Sequence, residues 1–532
     1  MIRLFLTKNN GYKWFSNGGI HFKGYFWDRL GNLYNGNGAL RFFEGISEID
    51  QLIATANTIN GSFCLLIIQN DTAFLLSDII RTFPLFYRKS TVGFDVSDDA
   101  YAINEKNDTL NPLSIDEFEG TGFVFSNRTL FNEIHQTQSG QIVHLFDNSI
   151  EIVDYYTYLT HNYFHASYNE LRQTAKKVIL DSFARFVKSL GDRQVVICLS
   201  GGYDSRLIAC MLKYYNYKNV LCITYGNKER NPEIGISQQV ACELGFKWQF
   251  VEYDEELIKG YFTSPPFNAY YKYVGNFANM FMMHEYFAVK YLSGLNLIEP
   301  DAIFVTGHSG DFLGGSQITK FNLKMHMNID NMVSSIFHTK LVFQTSKLNL
   351  ENKIKDNIRI DINHVLSKYP ESYGHSLIEN WDMKEKLSKF IASSSTVFDF
   401  FGYEYRLPFW DKELVDFFKN IPIGLKINKL LYDALLKEEF FGIYGLNFIK
   451  EIQPGNFKIK FQIFKDFVKR YIPESIIYLL SKREDYHNYK LITMPMLSEL
   501  SSVKKTTGTK VKYQNTLLIK WYLHKVTEIT DL

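Results

Sequence analysis

The sequence lacks the features of a secreted or membrane-spanning protein. Only five of its 532 residues are cysteine, they form no CxxC pair, and most lie in apolar runs such as 195–199 and 220–223. Such thiols are typical of a reducing compartment. The apolar stretch at the start is too short for a signal peptide, and no later window reaches the roughly 18 apolar residues of a spanning helix. These absences predict a cytoplasmic protein with no membrane partner.

The chain also lacks an excess of charge of either sign. Its 58 Lys and Arg residues nearly balance 57 Asp and Glu residues, which leaves a formal net charge of +1. Such a chain has no general field that would gather a polyanion, so nucleic acid is not an expected partner. With 46% hydrophobic residues the chain is globular rather than disordered. Its length predicts two or three domains, and two unequal ones fit best.

Two sequence patterns divide the chain near residue 155. In 1–155, short apolar or alternating runs such as 62–69 are separated by Asn-Gly and Asn-Asp steps, which indicates a β-rich domain. An amphipathic helix over 167–190 then opens a second domain, 156–532, in which strands and helices alternate before a mainly helical end. This alternation predicts parallel βαβ units and an open, doubly wound sheet. The predicted fold class is α/β.

A glycine-rich loop follows the apolar run 195–199. It reads SGGYDS over residues 200–205 and leads directly into a predicted helix. Glycines let backbone N–H groups approach a phosphate, and the helix N-terminus adds the positive end of its dipole. Asp204 would repel phosphate unless Mg²⁺ lay between them, so we interpret it as a metal ligand. The alternative is an ordinary strand-to-helix turn in which Asp204 caps the helix.

Other common chemical motifs are missing. The chain has no GxxxxGK[ST] loop, which excludes the lysine-based type of phosphate loop. His284-Glu285 lacks the second histidine of an HExxH pair, and His161 and His165 lie in a predicted linker. We therefore expect no zinc site.

The loop at 200–205 resembles the pyrophosphate-binding loop of the ATP pyrophosphatase superfamily, whose signature is SGGxDS after a strand. It is most similar to that of the asparagine synthetases and their relatives, which include β-lactam synthetases and lasso-peptide cyclases. TGHSGDFLGG over 306–315 resembles the second family signature, SGEGxDExFGG, and GYEYRLPFWD over 402–411 resembles GxExRxPFLD. The resemblance spans nearly the whole chain and is weakest before residue 60 and after residue 455.

The resemblance implies ATP and Mg²⁺ as cofactors, with Asp204 and Asp311 as the magnesium ligands. It implies that Lys429 neutralises the departing pyrophosphate, with Lys426 as the alternative because residues 432–433 differ from the family pattern. The implied nucleotide contacts are Leu199, Ser200, Gly201, Gly202, Asp204, Ser205, Tyr225, Thr306 and Gly307.

Residues 1–155 follow the order of the glutamine amidotransferase domain that precedes asparagine synthetases, which implies an αββα sandwich of the Ntn-hydrolase type. The glutaminase form of that domain uses a cysteine at position 2, with its free α-amine as base. Here position 2 is Ile2, which offers no nucleophile. We therefore predict a degenerate amidotransferase domain that does not hydrolyse glutamine.

His308 stands where asparagine synthetases have a glutamate. An imidazole, with a reference pKa of about 6.5, could deprotonate an amine near neutral pH. The alternative is a substituted position without a catalytic role. Together with Ile2, this change predicts that the acceptor or the nitrogen donor differs from aspartate and glutamine.

The predicted activity is that of an AMP-forming carbon-nitrogen ligase, which adenylates a small-molecule or peptide carboxylate and transfers ammonia or an amine to it. Open alternatives are a peptide- or β-lactam-cyclising ligase and an amidating enzyme of a surface-polysaccharide or natural-product pathway. A tRNA-modifying enzyme, which can use the same loop, and a non-catalytic nucleotide-binding scaffold are the others. The sequence is compatible with a homodimer.

Overall fold

The computed structural model describes six stretches of the chain: residues 1–318, 328–341, 343, 349–447, 485–503 and 514–530. Part of the predicted mainly helical end therefore lies outside the described residues. The strands within them are β1 (Ile2–Phe5), β2 (Trp14–Asn17), β3 (Ile20–Trp27), β4 (Leu33–Asn35), β5 (Asn60–Gln69), β6 (Thr72–Ser77), β7 (Phe86–Ser90), β8 (Gly93–Ser97), β9 (Ile134–Gln136), β10 (Gln141–Phe146), β11 (Ser149–Asp154), β12 (Val195–Cys198), β13 (Val220–Gly226), β14 (Lys247–Glu252), β15 (Ile303–Val305) and β16 (Glu404–Arg406).

The α-helices lie mostly in the second half of the chain. They are Gly36–Phe42, Ile49–Ala56, Pro112–Thr121, Tyr168–Lys188, Tyr203–Tyr214, Glu233–Leu244, Glu255–Ile258, Pro265–Gly275, Tyr286–Gly294, Gly310–Gly314, Ile329–Lys340, Glu351–Lys368, Gly374–Asp382, Thr396–Phe400, Lys412–Lys419, Ile423–Lys426, Leu430–Leu435, Tyr489–Val503 and Gln514–Thr530. Short 3₁₀ turns and two π-helical segments, Met383–Ile391 and Leu436–Phe441, interrupt or extend them. No helix in the described ranges combines the length and apolar composition of a membrane span.

A five-stranded parallel sheet forms the centre of the second half. Its order is β14-β13-β12-β15-β16, so the chain order reverses beside β12, which pairs with β13 on one side and β15 on the other. The residues of β12 from Val195 to Ile197 are fully buried, as expected for apolar β-branched residues covered on both faces. The predicted α/β class and parallel sheet are confirmed, and the reversal of the strand order is typical of a doubly wound sheet. Ligands of such sheets bind outside the carboxyl ends of the strands, at the point of reversal.

The first 155 residues contain two sheets, which confirms the predicted β-rich half. One has four strands in the order β1-β8-β7-β9, and the other runs β11-β10-β6-β5-β3-β2, with β4 added to β3. Strand pairing does not establish that the two sheets stack face to face, so the αββα sandwich stays a prediction. Ile2 lies in β1, an edge strand paired in parallel with β8.

The helix Tyr168–Lys188 matches the predicted helix over 167–190. A capping box begins it, because the Ser167 hydroxyl accepts from the Glu170 backbone N–H while the Glu170 carboxylate accepts from Ser167. Leu171, Ala175 and Phe183 form part of its buried face. The helix therefore joins the common core through its apolar stripe.

Polar contacts join the two halves of the chain. Asp411 accepts two hydrogen bonds of 2.8 Å from the Arg185 guanidinium and one of 2.9 Å from the Asn60 side-chain amide. The backbone N–H of Tyr12 donates to Asp399 at 2.8 Å. Since these carboxylates are largely buried, their partners offset the cost of removing them from water.

Replacing Arg185 with alanine should lower the free energy of unfolding by about 3 kcal/mol, because it leaves the buried Asp411 without its cation. Lys177→Ala, on the same helix, is the matched control: its ion pair with Asp181 is exposed, and little change is expected. Urea unfolding of both variants measures the difference. Equal stability of the two would show that the Arg185–Asp411 pair contributes nothing to the free energy of unfolding.

Candidate nucleotide-binding site

The first glycine-rich loop connects β12 to the helix Tyr203–Tyr214 and is tied together by two serines. The Ser200 and Ser205 hydroxyl oxygens lie 2.9 Å apart, and the Ser200 backbone N–H donates to Ser205 Oγ at 3.1 Å. The Gly202 backbone N–H donates to Ser200 Oγ at 3.3 Å. These bonds fix the loop backbone at the N-terminus of a helix, where the dipole favours an anion.

Asp204 does not cap this helix. The N-cap is Gly202, and the Asp204 carboxylate turns toward the second loop, where Oδ2 accepts from the backbone N–H of Asp311 at 2.8 Å. Its other oxygen, Oδ1, accepts from the hydroxyl of Tyr432 at 3.1 Å. The alternative interpretation of Asp204 as a simple helix cap is therefore wrong.

The second loop follows β15 and touches the first one. A Cβ atom on Gly307 would lie 2.6 Å from the backbone nitrogen of Ser205, and one on Gly310 would lie 2.5 Å from Cγ of Asp204. Side chains at these two positions would separate the loops. The glycines of the second signature thus allow Asp204 and the short helix Gly310–Gly314 to meet.

The carboxyl group of Asp204 is in an unfavourable place for a negative charge. Burial and, to a smaller extent, the charge of Asp311 together raise its pKa to about 7, and the amine of Lys429 acts in the opposite direction. Carboxylate oxygens from two loops are the donors that Mg²⁺ prefers, and a bound cation would favour the ionised form. The residues present therefore fit a magnesium site formed by Asp204 and exposed Asp311.

The structure separates the two candidate lysines. Nζ of Lys426 lies 2.8 and 3.0 Å from the two carboxylate oxygens of Glu379, and both side chains are almost fully buried. Lys429 is partly exposed, lies 3.4 Å from Asp433, and acts electrostatically on Asp204. Lys426 is committed to a buried ion pair, which leaves Lys429 as the lysine whose charge acts on the two loops.

The remaining predicted residues differ in accessibility. Leu199 is buried, and its backbone N–H and C=O both bond to β13. Thr306 is buried and its hydroxyl lies 3.2 Å from Nδ1 of His308. Burial lowers the pKa of His308 to about 4, so the imidazole is neutral at pH 7 and a weaker base than its reference value implies. Tyr225 is half-buried near the end of β13.

Sequence reasoning missed two groups near these loops. The first is Tyr432, which donates a hydrogen bond to Asp204; in the sequence it stands out only as a departure from the family pattern. His284, Glu285 and His487 pack beside Tyr225, yet neither their spacing nor their flanking residues signal a site. A cavity of about 580 Å³ lies beside this group. Its lining residues include Asp254, Asp485, Asn488 and Leu491, and none of the predicted nucleotide contacts lines it.

Comparison with protein families gives one match: the asparagine synthase model matches residues 176–280. The matched region contains the first loop and Tyr225, whereas Thr306, Asp311 and Lys429 lie beyond it. The resemblance to asparagine synthetases is thus confirmed over these residues. No curated protein matches the chain.

Similar solved structures include an NH3-dependent NAD synthetase from Campylobacter jejuni subsp. jejuni NCTC 11168, at 14% identity and a TM-score of 0.20, covering 36% of this chain and 93% of that one. Another is an NMN synthetase from Francisella tularensis, at 13% identity and a TM-score of 0.19, covering 39% and 97%. A predicted subunit of tRNA methyltransferase from Methanocaldococcus jannaschii DSM matches at 19% identity and a TM-score of 0.14, covering 35% and 91%. Scores this low establish neither a shared fold nor a shared function.

The raised pKa of Asp204 predicts a pH-dependent stability of the metal-free protein. The folded state holds a proton on this group up to about pH 7, whereas an unfolded aspartate releases it near its ordinary pKa of 3.8. Asp204 therefore costs stability as pH rises between these values. Asp204→Asn should therefore gain stability over the wild type between pH 4 and pH 7, on the order of 3 kcal/mol. Thermal unfolding over this range measures the gain, and a pH-independent difference would contradict the assignment.

Proposed function

Because residues 176–280 match the asparagine synthase family, we propose that the protein is an ATP-dependent ligase that adenylates a carboxylate and transfers ammonia or an amine to it. The observation that carries the proposal is the contact between Asp204 and the backbone of Asp311 at the reversal point of the sheet. It brings together two carboxylates and a glycine-rich helix N-terminus. Such a combination suits Mg²⁺ and a polyphosphate.

In this proposal each loop has its own task. The backbone of residues 200–205 and the Ser205 hydroxyl hold the β- and γ-phosphates, and residues near Thr306 lie alongside the α-phosphate. Asp204 and Asp311 would hold Mg²⁺, which when bound neutralises phosphate charge and orients the leaving pyrophosphate. The protein otherwise acts by positioning its substrates and by excluding water.

Lys429 would neutralise the charge that develops on departing pyrophosphate. The carboxylate oxygen of the acceptor attacks the α-phosphorus of ATP, the bond to the β-phosphate oxygen breaks, and an acyl-adenylate forms. The amine then attacks the acyl carbon and AMP leaves. The fixed positive charge of the Lys429 side chain would stabilise the transition state more than the ground state, because negative charge on the pyrophosphate increases as its bond breaks.

The N-terminal half supports synthesis without glutamine hydrolysis. Ile2 has no nucleophilic side chain. We infer that residues 1–155 are a degenerate amidotransferase domain, and that the nitrogen arrives as free ammonia or as a substrate amine.

The proposed activity is tested by pyrophosphate release from Mg·ATP, scanned over panels of carboxylates and amines. Release should depend on one carboxylate and should fall by at least about a hundredfold in Asp204→Asn and in Asp311→Asn, since each removes a phosphate-bridging charge. Mg·ATP binding by calorimetry accompanies the scan. Binding without turnover over the whole panel would indicate a nucleotide-binding scaffold, and unchanged release in Asp204→Asn would refute the assignment.

Lys429 has a matched control in Lys437. Both amines lie over the ring of Tyr203, at 5.9 and 5.3 Å from its centroid, and the charge of Lys429 also lowers the pKa of Asp204. Lys429→Ala should lower the rate of pyrophosphate release at saturating ATP by about 10- to 100-fold, because charge on the leaving group is no longer neutralised. Lys437→Ala should stay near the wild-type rate. Equal losses would mean that the effect comes from packing on Tyr203.

A further inference from the structure

A buried carboxyl group lies beside the candidate nucleotide site without a cationic partner. Glu285 is 8% exposed and immediately precedes the helix Tyr286–Gly294. Its Oε1 accepts from the hydroxyl of Tyr225 at 2.8 Å. Within the described part of the chain it forms no ion pair, and no lysine or arginine contributes to its electrostatics. Buried glutamates are normally paired, so this one calls for a positive ligand.

Two imidazoles and two phenol rings pack together beside Tyr225, the hydrogen-bond partner of this carboxyl group. The ring centroids of His284 and His487 lie 4.8 Å apart in an edge-to-face arrangement. His487 lies 5.7 Å from the ring of Tyr225, and His284 lies 4.9 Å from that of Tyr489. Both imidazoles are half-buried, so one side of the cluster is open to a ligand.

His487 reaches this position because the segment 485–489 is fixed to the edge of the parallel sheet. The backbone N–H of Asn227 donates to the carbonyl of Tyr486 at 2.7 Å, and the Asn488 amide donates to the carbonyl of Tyr253 at 2.6 Å. Asp485 then caps the helix Tyr489–Val503 by accepting from its first backbone N–H at 2.8 Å. The backbone on both sides of His487 is therefore fixed by hydrogen bonds, which determines the position of its imidazole.

The imidazoles carry no charge that would repel a cation. Burial, together with the neighbouring His487 and His308, lowers the pKa of His284 to about 3. Burial lowers the pKa of His487 to about 4, against the attraction of Asp485. At neutral pH each ring therefore offers a lone pair as a hydrogen-bond acceptor.

The cluster also adjoins the second loop. His308, which follows Thr306 in that loop, is close enough to His284 to affect its protonation. Tyr225 lies on β13, the strand beside β12 from which the first loop leaves. A ligand held by this cluster would therefore lie next to the place where the nucleotide and the activated carboxylate meet.

We propose that Glu285, His284 and His487 form the binding site for the nitrogen nucleophile, as an ammonium ion or a protonated primary amine. This inference rests on the ligase function proposed above. The site offers one carboxylate, two imidazole acceptors and the π faces of Tyr225 and Tyr489, which together suit a small N–H cation.

Glu285 is also placed to act as the base. Burial raises its pKa to about 7, while the Tyr225 hydroxyl acts against this rise, so Glu285 can accept a proton near neutral pH. The cationic nitrogen first transfers a proton to Glu285 and becomes a neutral amine. Its lone pair forms the C–N bond, the bond between the acyl carbon and the adenylate oxygen breaks, and the electron pair leaves with AMP. The second nitrogen proton passes to an imidazole or to water.

A metal ion is a poorer fit to these residues. Among the described side chains, the cluster does not bring three metal-ligand atoms within reach of one another, whereas Glu499, His524 and Glu528 do so elsewhere. That second group is already neutralised, because Lys525 pairs with both of its glutamates. The geometry at Glu285 thus favours a ligand that donates hydrogen bonds over one that needs several lone pairs.

The test follows the histidine ¹⁵N signals of the full-length protein during titration with methylammonium chloride or ammonium chloride. Signals of His284 and His487, assigned from His→Gln variants, should shift saturably at millimolar salt. His364, which is exposed on the helix Glu351–Lys368, should not move. Glu285→Gln keeps the size of the side chain and a hydrogen-bond acceptor for Tyr225 but removes the negative charge. It should therefore weaken the binding of the ammonium salts at least about tenfold. Glu299→Gln, an exposed site near β15, is the matched control.

Each outcome decides for or against the proposal. If the histidine signals shift with both methylammonium and ammonium chloride, the site binds primary amines. If they shift with ammonium chloride alone, the site binds ammonium. Equal shifts with potassium chloride, unchanged binding in Glu285→Gln, or no saturable shift would overturn it. Mg·ATP binding is measured on the same samples. Loss of ATP binding with intact amine binding would count against the ligase function, and intact ATP binding without amine binding against this site.

Discussion

The site depends on the close approach of two backbone segments at the reversal point of the parallel sheet. Gly307 and Gly310 leave no room for a side chain, since a Cβ at either position would come within 2.6 Å of the first loop. Only because these residues are glycines can the Asp311 N–H reach the Asp204 carboxylate. The strand order β12–β15 brings the two loops side by side, and the glycines determine how closely they pack.

This approach has an electrostatic cost that shapes the rest of the site. Two carboxylates now share a partly buried region, and burial together with Asp311 holds the pKa of Asp204 far above its usual value. Tyr432 and Lys429 offset part of the cost, the first by a hydrogen bond and the second by its charge. A divalent cation with phosphate oxygens would offset the remainder. The protein is therefore most strained electrostatically when its proposed ligands are absent.

Local sequence was enough to predict the elements that carry the first loop. The apolar residues 195–199, the glycines after them and the capping box at Ser167 act over a few positions, and the structure confirms the strand, the turn and the helix. The contacts between the two halves of the chain depend on residues far apart in the sequence instead. Asn60, for example, meets Asp411 across 351 positions, and no periodic pattern encodes such a pair.

The same limit explains why the nitrogen side of the site was harder to predict than the adenylating side. Glycine loops bind phosphate through backbone atoms, which leaves a recognisable local signature. An amine is bound by side chains, and here they come from distant segments: Tyr225 near a strand end, Glu285 before a helix, and His487 in a segment fixed to the sheet from more than 200 positions away. His308 stands at the position of the family's glutamate, and His284 of the proposed amine site lies near it. We therefore expect the chemical difference from asparagine synthetases to be concentrated where nitrogen would enter.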